Sequence, residues 1–219
     1  MFRELFTAMR AGDIMDQAFE EFDQMLENAH WMFSEANKVI RREAEPADVR
    51  DSIYERDQAV NDLLRSIRRK IVRHLTINPG YDVAAGIVLV SVAKDAERIG
   101  DYCKNVFEVG RFYTDDFHVP RYHEPLGEIQ GEVSELFNRV RKAFRSSKTA
   151  EARATIDAAR EIRARCDSII EQLLRDDTSM HTHEAVAYSL LARHYKRVSS
   201  HLANICTAVV GNVEDLDFT

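Results

Sequence analysis

Residues 95–106, DAERIGDYCKNV, return near the end of the chain as HYKRVSSHLANI at 194–205, an offset of 99. Ile99, Cys103 and Val106 fall over Val198, Leu202 and Ile205, and Asn105 falls over Asn204. A second pair of stretches, RDQAVNDLL at 56–64 and CDSIIEQLL at 166–174, repeats at an offset of 110. Helical stripes match one another easily, so neither alignment decides much alone. Together they place each stretch at the same point of its own half. The two offsets differ by eleven residues, which fits a longer link between the second and third helices of the first half. The chain therefore reads as two related units.

Outward from these repeats, apolar residues recur every three or four positions, the helical period. Ile14, Ala18, Phe22, Met25, Ala29, Met32, Ala36 and Val39 form a first stripe, with Asp13 placed to cap it. Pro46 follows Glu45 where a first-turn proline belongs, and opens a stripe of Val49, Ile53, Val60, Leu63, Ile67, Ile71 and Leu75. Asp82 starts a third helix through Val88, Val92, Ile99, Cys103 and Val106. The stretch 113–124 holds Pro120 and reads, up to Pro125, as a connection. A fourth stripe then runs Ile129, Val133, Leu136, Val140, Phe144; a fifth, capped by Thr149, runs Ile156, Ala159, Ile162, Cys166, Ile169, Leu173. The polar run 176–179 precedes a sixth through Val186, Leu190, Leu191, Val198, Leu202, Ile205 and Val209. No strand-like alternation occurs. The reading is all-α: six helices as two repeated three-helix bundles, with units at 1–112 and 125–211 and an acidic tail at 212–219.

Composition agrees with a globular chain: 219 residues, 45% hydrophobic and 31% charged, with 4 prolines and 8 glycines. The net charge of −7 argues against a general nucleic-acid or anionic-membrane binder. The longest nearly apolar run, 83–93, is too short to span a bilayer. No basic segment followed by an apolar one opens the chain, which predicts no export and a cytoplasmic protein. Cys103, Cys166 and Cys206 show no paired spacing and read as small apolar helix residues.

The chemistry-bearing stretch is again 94–105. Glu97, Asp101 and Asn105 recur every fourth residue, drifting only ~40° per step, so they share one face. Asp57 and Asn61 repeat that spacing on the preceding helix. If the two helices pack antiparallel, the rows face one another, which is how bundles hold divalent or trivalent metal ions. The plainer reading is that such acids lie in solvent or pair with nearby Arg and Lys. Gly100 inside this helix points to close helix approach. Elsewhere, Glu27 and His30 have the ExxH spacing of di-iron bundles, which need two such motifs. His181, His183 and Glu184 cluster at a helix start, and Arg65, Arg68, Arg69, Lys70 and Arg73 form a basic face that could meet an acidic partner or simply water. Trp31 and the phenylalanines of the first helix read as core.

The string Asp95-Ala96-Glu97-Arg98-Ile99-Gly100-Asp101, with Asn105 after it, resembles the signature helix of PhoU proteins, and the six-helix, two-fold layout is similar to that family. The resemblance implies that Glu97 and Asp101 correspond to the family's metal motif. From their spacing, Asp57 and Asn61 are candidates to complete the ligand set, and all-oxygen ligands suit Mg, Mn or Fe. It implies a non-enzymatic cytoplasmic regulator that couples a phosphate transporter to a sensor kinase, with a homodimer left open. The second copy departs from the motif: Lys196 stands for the glutamate and Ser200 for the aspartate. This predicts a lysine pairing with Asp167 or Glu171 in place of a metal; the plainer reading is that Lys196 points to solvent. The alternatives are a carboxylate-bridged, di-iron-like metalloenzyme and a metal-free helical interaction module.

Overall fold

The computed structural model describes residues 14–80, 82–175 and 180–211. The Asp13 cap, the 176–179 break and the 212–219 tail lie outside the described residues. Among the described residues there are six helices and no strand: α1 Ile14–Ile40, α2 Pro46–Ile77, α3 Val83–Phe112, α4 Pro120–Ser146, α5 Thr149–Arg175 and α6 Thr182–Val210.

Local chemistry sets most of the helix ends. Glu45 is extended at φ −74°, and Pro46 occupies the first turn of α2, where a missing N–H costs nothing. Asp82 precedes α3 in the left-handed region at φ 56°, and its carboxylate meets His74 Nε2 at 3.1 Å instead of capping the helix. Arg42, also left-handed at φ 60°, sends its guanidinium to the carbonyls of Gly110 (3.1 Å), Tyr113 (2.6 Å) and Asp115 (2.7 Å). Those carbonyls lie at or just past the end of α3, where intrahelical partners run out and a cation is favoured. The connection between units is shorter than the prolines suggest. Pro120 is itself a first-turn proline of α4, and Pro125 sits inside that helix, at the cost of one backbone bond. Thr149 is likewise the first helical residue of α5, not its cap.

Within each half the three helices pack on one another, and the halves meet along α3 with α6 and α1 with α4. Both inter-unit pairs run antiparallel: Asp95 meets His201 while Tyr102 meets His194, and Asp23 meets Arg141 while His30 meets Ser134. A single hydrophobic core runs through both units. At its centre Phe33 lies between Phe137 (5.7 Å) and Tyr195 (5.6 Å), and Phe22 packs on Phe144 at 4.6 Å. Asn37, buried beside them, donates to the Phe33 carbonyl at 2.7 Å and accepts from the Tyr195 hydroxyl, so the polar amide is satisfied. On the rim, Arg141 bonds both oxygens of Asp23, at 3.0 and 2.8 Å. Burial alone would raise the Asp23 carboxyl, but the bonds from Arg141 and Arg145 hold it below its ordinary value. Trp31 is half-buried, not core, with Arg56 over its ring at 4.2 Å. The three cysteines are buried as expected, and burial pushes the Cys166 and Cys206 thiols up to about 12.

The close helix approach assigned to Gly100 lies elsewhere. A Cβ at 100 would meet Val60 Cγ1 at 3.6 Å, an ordinary contact, whereas one at Gly110 would meet Ile40 Cδ1 and Val39 Cγ1 at 3.0 Å and the Ile40 backbone nitrogen at 3.3 Å. Gly100→Ala is therefore expected to stabilise by up to ~1 kcal/mol through helix propensity. Gly110→Val is expected to destabilise by about 2 kcal/mol through overpacking of α3 on α1. Urea denaturation of the two variants checks both signs.

Candidate functional site

The two acidic rows do face each other. Helices α2 and α3 are antiparallel, with Val60 beside Gly100 and Tyr54 bonded to Glu108. This brings Asp57, Asp101 and Glu97 to one patch. Lys104 reaches into it, its Nζ 2.8 Å from Asp57 Oδ2 and 3.5 Å from Asp101 Oδ1. Burial alone would lower the Lys104 ammonium, but its bonds to Asp57 and Asp101 overcome this and hold it above its ordinary value. Glu97 lies 3.6 Å from Arg98 and is only 19% exposed. Burial raises its carboxyl, Asp101 and Asp57 push the same way, and Arg98 and Arg68 oppose them. Asn61 turns its amide back to the Asp57 carbonyl at 3.0 Å.

Of the four residues assigned from sequence, the three carboxylates thus share a site with a cation from their own chain. Among the described residues no group of three or more His, Cys, Asp or Glu is set to hold a metal ion. As packed, the Asp57 and Asp101 oxygens that an ion would use are bonded to Lys104. The signal for Lys104 was present, since it stands three residues after Asp101 and seven after Glu97. Those spacings place all three on one side of a helix.

The second unit solves the same problem from another position. Lys196, which stands where the first unit has Glu97, places Nζ 2.5 and 2.7 Å from the two oxygens of Asp167. Glu171 pairs instead with Arg175 at 2.7 Å. Ser200, which stands where Asp101 does, donates to the Lys196 carbonyl at 2.9 Å. A lysine therefore bridges the α2–α3 face in one unit and the α5–α6 face in the other.

A further polar cluster, not foreseen from sequence, lies where α3 crosses α6. Asp95 is buried, and its Oδ1 meets His201 Nδ1 at 2.7 Å and Asn204 Nδ2 at 3.1 Å. Arg197 Nε donates to the Tyr102 hydroxyl at 3.1 Å, and Tyr102 stacks on His201 at 5.7 Å. Asp95 precedes Glu97 by two residues, ~200° around the helix, so the face opposite the acidic row was readable as a second contact face.

Of the remaining candidates, some are held in local contacts and others lie exposed. His30 meets Ser134 Oγ at 3.0 Å and stacks on Phe137 at 4.7 Å, while Glu27 pairs with Arg141 at 3.3 Å. Burial, and then Arg141, lower the His30 imidazole. Glu184 is buried, accepting from the His118 backbone N–H at 2.7 Å and from Tyr188 at 3.1 Å, which anchors the inter-unit connection. His183 meets Asp115 at 3.1 Å and stacks on His181. Arg65, Arg68, Arg69 and Arg73 are exposed, and Lys70 pairs with Glu21 at 2.9 Å.

The PhoU domain, as a family model, matches the chain twice, over residues 22–109 and 126–209. Among solved structures, the chain is similar to PhoU from Pseudomonas aeruginosa, with a TM-score of 0.79 at 18% identity, covering 90% of this chain and 95% of that one. It is also similar to the phosphate transport system regulatory protein PhoU from Streptococcus pneumoniae, with a TM-score of 0.75 at 17% identity and the same coverages. At these identities the structural likeness speaks for the fold. No curated protein sequence matches.

The raised Glu97 carboxyl has a measurable sign. Folding favours its protonated form, so its contribution to stability is full below the unfolded value of 4.5 and is lost as pH rises through the raised folded value. Glu97→Gln should therefore melt higher than the wild type at pH 7 and converge with it near ~pH 4. Thermal melts across that range check this; a lower melting temperature at pH 7 would mean the carboxylate is needed there.

Proposed function

Because the chain belongs to the PhoU family, we propose that it is a cytoplasmic regulator of phosphate uptake and phosphate-responsive signalling that acts by binding other proteins and not by catalysis. The observation that carries this reading is the match of the PhoU domain to both three-helix units. The similar Streptococcus pneumoniae protein is described as a phosphate transport system regulator, which supports the same class. No described helix is long and apolar enough to cross a membrane. A component of a phosphate transporter and a sensor kinase are the partners this reading calls for. The exposed Arg65, Arg68, Arg69 and Arg73 on α2 offer a face for an acidic segment of either partner.

A divalent or trivalent ion of the Mg, Mn or Fe type belongs to this reading in one form. Glu97, Asp101 and Asp57 would hold it, with the Asn61 amide oxygen nearby, once Lys104 turns to solvent. The ion would supply the positive charge that Lys104 supplies now, tying α2 to α3. Lys104 is half-buried on a flexible four-carbon stem and would compete with the ion for the site.

Two outcomes are expected. Deleting the gene from its source cells should leave phosphate uptake and a phosphate-starvation reporter active in phosphate-replete medium. Repression that persists unchanged would contradict the regulatory reading. Lys104→Met should raise the manganese retained after dialysis, measured by elemental analysis, and Glu97→Ala with Asp101→Ala should abolish the gain. Equal metal content in all three proteins would remove the ion from the account.

A further inference from the structure

We propose that the cleft where α3 crosses α6 is a binding site for a phosphate-class oxyanion, with Arg197 and Lys94 as the cations that hold it, Arg98 at its edge, and Ser91, Tyr102 and Asn204 as its polar rim. These residues, with Asp95 and His201, line a cavity of about 350 Å³ on the seam between the two units. That volume admits a hydrated phosphate or the phosphate end of a larger ester.

The cations are unevenly engaged. Arg98 already lies 3.3 Å from Asp101 and 3.6 Å from Glu97, on the α2 side of the helix. Arg197 has no carboxylate within ion-pairing distance among the described residues; its bonds go to the Tyr102 hydroxyl at 3.1 Å and to His201 Nε2 at 3.4 Å. A guanidinium carries five donors, so about three remain for a ligand. The Tyr102 ring, 5.5 Å from the guanidinium carbon, helps hold that group in place before anything binds. Lys94 is exposed at the cleft mouth, and no ion pair holds it among the described residues.

Asp95 is the one acid in the lining, and its position removes it from competition. Its Oδ1 takes the bonds from His201 Nδ1 and Asn204 Nδ2, and it makes none with the three cations. The hydrogen-bond pattern assigns His201 the tautomer that donates from Nδ1 and accepts at Nε2 from Arg197. Asp95 therefore orients His201, and His201 orients Arg197, without neutralising the guanidinium. The lining keeps a net positive charge in a chain whose overall charge is −7. Charge-assisted hydrogen bonds from a pre-placed Arg and a Lys are the chemistry that selects phosphate groups. An anion held there would touch α3 and α6 together, and so join the first unit to the second.

The site rests on the chemistry of the seam and not on the regulatory reading above, so the two stand or fall separately. Isothermal titration of the full chain with inorganic phosphate at constant ionic strength should show one saturable site per chain. Arg197→Gln and Lys94→Gln should each weaken it about tenfold, while Lys142→Gln, on a basic patch outside the cleft, should leave it unchanged. Lys94→Gln changes an exposed side chain, so a folding defect cannot account for its effect; circular dichroism makes the same check on Arg197→Gln. A parallel titration with ATP separates a free phosphate ion from a phosphate ester. Saturable binding of ATP alone, with the same dependence on Arg197 and Lys94, keeps the site and assigns it an ester. No saturable binding of either probe, or binding equal in the wild type and both cleft variants, would overturn the proposal.

Discussion

Helix α3 packs against antiparallel neighbours on two sides, and helical geometry gives each neighbour a different set of polar residues. Asp95 and Glu97 stand two positions apart, ~200° around the axis. One faces α6 and the other unit; the other shares the α2 face with Asp57 and Asp101. An ionised group in so packed a place is costly unless something compensates it. The two faces do this differently. Toward α6, His201 Nδ1 and Asn204 Nδ2 both bond the Asp95 side chain. Toward α2, the ammonium of Lys104 bridges Asp57 and Asp101.

The repeat makes the second solution visible twice. In the first unit the lysine comes from one turn beyond the acidic row, and in the second Lys196 stands within the row itself. A change of residue type at one position has thus been offset from a different position on the same helix face. The units remain similar in packing while their charged residues have been redistributed. Asp167 is 56% exposed against 16% for Asp57, so the second bridge lies nearer water and contributes less.

Much of the fold was legible in the sequence because it rests on period. The stripes through Phe22, Ile67, Val92, Val133, Ile162 and Leu202 give the six helices, and the two offsets pair the units. The start of α4 was not legible, because Pro120 and Pro125 read equally as loop residues until the first is seen in a first turn. The site was half legible. The acids at 57, 97 and 101 could be placed on facing helices by spacing, and the substitution pointed Lys196 to Asp167 or Glu171, between which only the structure chooses. The spacing of Lys104 from Glu97 and Asp101 is readable but not distinctive, because a lysine one turn from an aspartate is ordinary on a charged helix. Only the register of α2 against α3 reveals that it reaches Asp57 as well. Asp95, His201 and Arg197 depend on contacts across the seam, and no pattern within one helix specifies which residues of α6 lie opposite.

Each unit joins its two facing helices with a lysine of its own, Lys104 on Asp57 and Asp101 and Lys196 on Asp167. Double-mutant cycles in stability test it most directly, using Asp57→Asn with Lys104→Met in the first unit and Asp167→Asn with Lys196→Met in the second. The account predicts a favourable coupling of about 1 kcal/mol for the first pair, and a smaller, more salt-sensitive one for the second. Zero coupling between Asp57 and Lys104 at low salt would contradict it.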